Sequence, residues 1–176
     1  MLETIFTDSF APDTNPQTET SLPHQGWEEL KVLVAEDNAV SRRVLESILR
    51  LYGVQVLTAS DGAEAVRILQ QDDPPQLAIL DWEMPLLGGL ELCRWIRSVP
   101  ALKYTYVMLL TAKSSPDDLI TGLQAGANDY ITKPYNRAEL WARIQVGRRV
   151  LELQKELARG VCPKCGTGLG TWSWQE

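Results

Sequence analysis

Basic residues are missing from the beginning of the chain. The first 30 of the 176 residues contain six acidic side chains and no lysine or arginine. The remainder carries 17 acidic side chains, the total of 23 less these six, and all 17 basic ones. The sequence therefore lacks the broad basic surface by which nucleic acid is bound, and we expect no direct nucleic-acid partner.

Cysteine, histidine and long apolar runs are scarce. Three cysteines, one of them inside a helical pattern, do not make a disulfide framework. The single histidine, His24, has no partner histidine nearby, and we interpret it as a solvated residue. No apolar run reaches the roughly 18 residues of a membrane helix, and the first residues lack the basic start and apolar core of a signal peptide. We expect a cytoplasmic protein that does not associate with membranes.

The segment 1–29 is acidic and rich in threonine, proline and glutamine, with few apolar residues. A segment of this composition cannot bury enough surface to offset the entropy lost on ordering. We therefore predict a disordered leader, with the folded domain beginning at residue 30.

From residue 31 onward, short apolar runs alternate with helical patterns. Each run is followed by a segment whose apolar residues recur at the helical period. This order occurs five times, and successive right-handed crossovers then give a parallel sheet with helices on both faces. The fold class is α/β, doubly wound and five-stranded. The predicted strands are 31–35, 54–58, 77–81, 104–110 and 128–131.

Glycines mark several predicted element ends. Gly53 is expected to cap the first helix at its carboxyl end, and the fourth helix is expected to end near Gly126. The pair Gly88 and Gly89 is interpreted as freeing the backbone for a turn.

Polar residues follow four of the predicted strands. Glu36 and Asp37 follow the first strand, Asp81 ends the third, Thr111 follows the fourth and Lys133 comes after the fifth. These ends share one edge of a parallel sheet, where open α/β folds bind their ligands. Three carboxylates repel one another, so a hard divalent cation such as Mg²⁺ is the natural neutraliser. A lysine and a hydroxyl beside them suit phosphoryl oxygens, and the set predicts phosphoryl transfer to a carboxylate nucleophile.

Simple capping explains each of these residues alone, but five on one edge without a glycine-rich phosphate loop are hard to produce by capping.

A metal-dependent phosphatase is the rival function. Such enzymes usually carry two aspartates two residues apart after the first strand, whereas Asp81 ends the third strand and Glu83 stands two residues later. A DNA-binding regulator is a weaker rival, because no helix-turn-helix pattern follows the predicted five-stranded domain in this sequence.

Four motifs cover the ends of the predicted strands: Val34–Asn38, Ile79–Pro85, Leu110–Ala112 and Gly126–Pro134. They resemble the motifs of receiver domains, the response-regulator (chemotaxis-receiver-like) domains of two-component signal transduction. The resemblance spans about residues 30–154. It implies a flavodoxin-like sheet of strand order 2-1-3-4-5, with a receiver core at 30–136.

The resemblance also implies roles for individual residues. Asp81 would accept a phosphoryl group from a sensor histidine kinase or a phosphotransfer protein. Mg²⁺, with Mn²⁺ as an alternative ion, would be held by Asp37, Asp81 and the carbonyl of Glu83, and Glu36 would act mainly through water. The phosphoryl-contacting residues would be Trp82, Thr111, Ala112 and Lys133, the switch pair would be Thr111 and Tyr130, and Pro134 would follow a cis bond. Phosphorylation would then change the face made by the fourth helix, fifth strand and last helix.

The last helix, predicted at 137–159, is longer than a receiver needs. Val146, Val150, Leu153 and Leu157 recur at spacings of four, three and four, as in a short coiled coil. A single helix with a broad buried face explains the same spacing, and both interpretations stay open. The first predicts a phosphorylation-dependent homodimer. Such a helix also resembles the linker to a following output domain, such as a diguanylate cyclase or a phosphatase.

The tail at 160–176 is rich in glycine and contains the pair Cys162 and Cys165. This pair is half of a zinc site, since structural zinc needs four ligands. The other two would come from a partner chain or from sequence beyond residue 176, so for this chain alone we favour a metal-free, unstructured tail. Trp172 and Trp174 alternate there, which fits either a docking strand or no structure. The tail can also be the start of a truncated output region.

Overall fold

The computed structural model of the chain describes residues 27–112 and 115–159. The predictions for the leader up to residue 26, for Cys162 and Cys165, and for the tail tryptophans fall outside these residues. Five strands and five α-helices alternate, with a short 3₁₀ helix at Pro100–Leu102. The strands are β1 Lys31–Ala35, β2 Gln55–Ala59, β3 Leu77–Asp81, β4 Tyr106–Thr111 and β5 Asp129–Thr132. The helices are α1 Ala39–Arg50, α2 Gly62–Leu69, α3 Gly89–Ser98, α4 Pro116–Gln124 and α5 Arg137–Ala158.

The five strands form one parallel sheet of order β2-β1-β3-β4-β5, which confirms the predicted fold. All five residues of β3 are buried, as expected for a strand covered by helices on both faces. The register pairs Ala35 with Leu80 and Asp81 with Leu110. The carboxyl ends of β1, β3 and β4 are therefore level, and the residues that follow them meet at one edge.

Alternate residues of the strands feed two cores on opposite faces of the sheet. Val32 and Val34 pack with α1 and α5, whereas Leu33 and Ala35 pack with α2 and α3. Cys93 on α3 is fully buried in the second core, in agreement with its interpretation as a small core residue.

The folded domain begins earlier than predicted. Trp27 is only 5% exposed and belongs to the first core, so the boundary expected at residue 30 is wrong for residues 27–29. The Trp27 ring lies 4.4 Å from that of Trp141 on α5, measured between centroids, and the Trp141 ring stacks on Tyr52 at 3.6 Å. Aromatic burial of this size overrides the polar composition of the surrounding segment.

The glycines at the ends of the elements differ in their backbone conformation. Gly53 and Gly126 follow the ends of α1 and α4, as predicted, and their φ of +79° and +95° is a left-handed conformation that glycine adopts readily. Gly88 has a φ of −70°, which any residue can adopt, so this position does not need the conformational freedom of glycine. Leu86 instead takes the positive φ in that loop, at 68°.

The last helix carries two kinds of apolar residue on its predicted stripe. Val146, Leu153 and Leu157 are exposed, but Val150 packs against the first core. The stripe is therefore partly a buried face and partly a surface strip. Within the described residues, no helix combines the length and apolar character that crossing a bilayer requires.

Candidate functional site

An acidic cluster lies at the carboxyl edge of the sheet. Oxygen atoms of Glu36, Asp37 and Asp81 all lie within 4.8 Å of one another. Glu36 and Asp81 are 1% and 7% exposed, whereas Asp37 is exposed to solvent. The level ends of β1 and β3 bring these carboxylates together, as the sequence predicts.

Lys133 neutralises part of this cluster. Its Nζ donates hydrogen bonds to Glu36 Oε2 and Asp81 Oδ2, each at 2.7 Å. Burial raises the pKa of the Glu36 carboxyl above its ordinary value, and the hydrogen bond from Lys133 opposes that shift. Burial alone would lower the pKa of Lys133, but its hydrogen bonds to Asp81 and Glu36 outweigh burial, and its pKa is raised. Lys133 is therefore held as a cation beside Asp81.

The backbone around Asp81 is fixed on both sides. The amide of Trp82 donates to the carbonyl of Leu110 at 2.7 Å, which extends the pairing of β3 with β4 by one bond. On the other side, α3 starts directly against Asp81, because a Cβ on Gly89 would lie 2.2 Å from the Asp81 carbonyl oxygen. Only glycine permits this approach. Gly89 is thus a positioning residue that the sequence analysis assigned to a turn.

Arg42 and Asn38 hold the loop that carries the acidic pair. Arg42 Nη1 donates to the carbonyls of Glu36 and Asp37, at 2.6 and 3.2 Å. The side chain of Asn38 caps α1 by accepting from the amides of Val40 and Ser41. Sequence reasoning missed both residues, although an asparagine before a helical pattern is a capping signal.

A small cavity lies between α4 and the ends of β4 and β5. It has a volume of about 190 Å³, and its lining includes Trp82, Thr111, Gly122 and Tyr130. Thr111 is buried at the end of β4, and the half-buried ring of Tyr130 lies 5.8 Å from the guanidinium of Arg143. The predicted switch pair therefore lines one cavity, which has room for a side chain to move.

The remaining predicted site residues lie around this edge. Glu83 and Ala112 are exposed in the loops after β3 and β4. The Lys133–Pro134 peptide bond is cis, as the resemblance implied. The exposed apolar residues of α5 lie on a helix surface rather than at the acidic cluster.

The acidic cluster fits a small hard cation. Mg²⁺ takes oxygen ligands, usually one or two carboxylates with water and phosphate oxygens. The oxygens of Asp37 and Asp81 satisfy that requirement, and exposed Asp37 leaves the site open to water. One lysine lies against three carboxyl groups, and a divalent ion would supply the further positive charge that such a cluster attracts.

Curated proteins from other organisms are similar to this chain over about half of their own length. A probable transcriptional regulator of Porphyridium aerugineum, ycf27, is 44% identical over 121 residues, which are 68% of this chain and 49% of that protein. The transcriptional regulatory protein PrrA of Mycobacterium tuberculosis is 42% identical over 115 residues, 65% of this chain and 48% of that protein. The chain thus spans about half the length of the curated relatives that it matches.

Solved structures share the fold. The receiver domain of the sensor histidine kinase PA1611 from Pseudomonas aeruginosa, with a magnesium ion coordinated in its active-site cleft, has a TM-score of 0.61 and 34% identity over 70% of this chain and 98% of its own. The chemotaxis response regulator CheY4 of Vibrio cholerae has a TM-score of 0.64 and 30% identity over 67% and 98% of the two chains. A probable two-component response regulator with a GGDEF domain has a TM-score of 0.67 and 28% identity, over 72% of this chain and 52% of that chain.

The family model for the response regulator receiver domain matches residues 32–145. This range begins at the second residue of β1 and includes the rest of the sheet. It also contains the acidic cluster and Lys133. The chain therefore belongs to the response regulator receiver family, the CheY-like domains of two-component systems.

Proposed function

We propose that this receiver accepts a phosphoryl group on Asp81, with Mg²⁺ bound, and that phosphorylation changes the surface made by α4, β5 and α5. The observation that carries the proposal is the position of Asp81. Its carboxylate is nearly buried, lies within 4.8 Å of two other carboxylates and accepts a hydrogen bond from Lys133 at 2.7 Å.

The chemistry follows from these groups. An oxygen of the Asp81 carboxylate attacks the phosphorus of a phosphohistidine, the bond from phosphorus to nitrogen breaks, and the imidazole leaves with that electron pair. Mg²⁺ would be held by Asp37, Asp81 and the Glu83 carbonyl, and it would supply positive charge against the carboxylates and the phosphoryl oxygens. The Lys133 ammonium, now shared by Glu36 and Asp81, can donate to a phosphoryl oxygen. Ala112 and Trp82 are proposed as further residues that contact the phosphoryl group.

The donor is proposed to be a sensor histidine kinase or a phosphotransfer protein. The relation to the receiver domain of a sensor histidine kinase supports this donor class. Exposed apolar side chains near the site, Val40 and Val44 on α1 and Leu86 in the loop after β3, offer a surface on which a helical donor can dock.

The phospho-acceptor is tested by intact mass. With acetyl phosphate and Mg²⁺, the wild-type mass should increase by one phosphoryl group, and Asp81→Asn should show no increase. Asp72→Asn, at an exposed aspartate in the loop after α2, is the matched control and should be phosphorylated like the wild type. Phosphorylation of Asp81→Asn at the native rate would contradict the assignment.

Metal binding is tested separately by fluorescence. Trp82 is adjacent to Asp81, so Mg²⁺ binding should change its emission, and Trp82→Phe identifies its share of the signal. Asp37→Ala should lose the response, while Mn²⁺ should reproduce it in the wild type. An unchanged titration in Asp37→Ala would contradict the proposed ligand set.

We further propose that the switch, rather than turnover of a separate substrate, is the activity of this domain. Its output would be a partner or a downstream domain. The two transcriptional regulators named above support an output that acts on DNA, and the GGDEF protein supports a diguanylate cyclase output. Sustained release of phosphate from an aryl phosphate by the wild type, lost in Asp81→Asn, would instead favour the phosphatase function.

A further inference from the structure

A large groove lies at the edge of the sheet opposite Asp81. Its volume is about 520 Å³, and it is formed by the loops before β3 and β4 together with the last turns of α5. Pro75, Tyr104, Leu151 and Leu157 are among the residues that line it. The residues assigned to phosphorylation are absent from this lining, so the groove is separate from the proposed site.

The groove has the character of a binding surface. Tyr104 and Leu157 are 61% and 56% exposed, and both line the same concave surface, so their apolar area is available to a ligand. On the wall, Gln154 Oε1 is buried and accepts no hydrogen bond within the described residues. A buried acceptor without a donor costs free energy, so a ligand that brings an N–H group is favoured there. Lys155 on the lining adds a positive charge.

We propose that the groove is filled by the chain's own segment 160–176, with Trp172 and Trp174 as its anchors. Helix α5 ends at Ala158, which itself lines the groove, so the segment leaves the helix at the groove's rim. Trp172 lies 14 residues beyond Ala158, and an extended chain of that length reaches roughly 45 Å. The segment is therefore long enough to turn back.

The segment's composition matches the groove. Trp172 and Trp174 are separated by one residue, so both indoles point to the same side of an extended strand. Each indole combines a large apolar surface with an N–H that only donates, and Gln154 Oε1 lacks a donor. Glu176 provides a negative charge for Lys155. Glycines between the cysteines and the tryptophans permit the reversal of direction.

Hydrogen exchange of the 176-residue chain tests this proposal. We compare the wild type with the double variant Trp172→Ser, Trp174→Ser and with a control, Ser173→Ala. In an extended segment the Ser173 side chain would point to the side opposite the two indoles. Exchange in the loop 100–106 and at the end of α5 should be about tenfold faster in the double variant, equivalent to about 1.4 kcal/mol of lost protection. The control should match the wild type.

A groove-side variant and a concentration series complete the test. Tyr104→Ser should abolish the protection of residues 170–176 while the domain remains folded by circular dichroism. Equal exchange in wild type and double variant would overturn the proposal. Protection that disappears on dilution would also overturn it, because the occupant would then be the tail of a second copy.

Discussion

Gly89 shows how one residue without a side chain shapes the site. Its Cβ position lies 2.2 Å from the Asp81 carbonyl oxygen and 3.3 Å from the Trp82 Cα, which are backbone atoms fixed by the sheet. Gly88 is less constrained, because the nearest atom to its Cβ position is the end of the flexible Glu91 side chain, at 2.6 Å.

We predict that Gly89→Ala lowers the free energy of unfolding by about 1–3 kcal/mol, the usual cost of overpacking. It should also slow phosphorylation by acetyl phosphate, because the Asp81 backbone must shift. Gly88→Ala is the matched control and should cost less. Urea denaturation measures both, and equal stabilities of the two variants would contradict the steric argument.

Tyr106 makes stability depend on pH in the alkaline range. Burial raises its pKa from 10.0 to about 12, and the charge of Asp129 contributes. Between these two values the folded state retains a phenol proton that the unfolded state has released. The unfolding free energy should therefore fall as the pH rises from 10.0 towards about 12. In Tyr106→Phe this part of the decline should disappear, and a decline of the same slope would contradict the assignment.

At the scale of elements, an aromatic stack attaches the segment before β1 to α5. Trp27, Trp141 and Tyr52 lie in contact, Arg148 covers the Trp27 ring at 4.1 Å, and Arg137 donates to the Tyr52 hydroxyl. The stack fixes the first half of α5, the helix that follows Lys133.

We predict that Trp27→Ala lowers the unfolding free energy by about 3 kcal/mol, the lower end of the cost for a buried tryptophan. Trp27→Phe keeps a ring against Trp141 and should lose clearly less. Chemical denaturation followed by circular dichroism measures both. If Trp27→Ala has wild-type stability, the stack does not stabilise the domain.

Local sequence patterns predicted the elements well but not this stack. Alternating apolar runs and helical periods predicted all five strands in their order along the chain, because those patterns are local. The order of the strands within the sheet came from the family resemblance. Trp27 gave no periodic signal, since its partner lies on α5 and its neighbours are polar. The acidic cluster was predictable because parallel strands share an edge, whereas Gly89 and Arg42 act through backbone contacts that leave no pattern.

At the scale of the whole molecule, α5 presents an exposed apolar strip. Val146 and Leu153 are seven residues apart, which places them on the same side of the helix, and both are exposed. Val150 packs on the core, so its replacement would test folding rather than association.

We predict weak dimerisation through this strip, strengthened when beryllium fluoride mimics the phosphoryl group. Burial of apolar area would recover about 25 cal/mol per Å², less the cost of association, so the dimer should be marginal alone. Sedimentation of the wild type and of Val146→Glu, Leu153→Glu, each with and without beryllium fluoride, measures this. A wild type that stays monomeric in both conditions would contradict the prediction, and Arg149→Glu is a control on the same helix.

The contact of Trp27 with Trp141 also bears on how the chain folds during synthesis. The two residues are 141 − 27 = 114 positions apart, so the contact forms only after α5 has emerged from the ribosome. Every strand pair of this parallel sheet is likewise bridged by a helix, which makes closure costly in entropy and slows folding. The domain therefore completes its first core only when the segment before β1 meets α5, the last of the five helices described above to be synthesised.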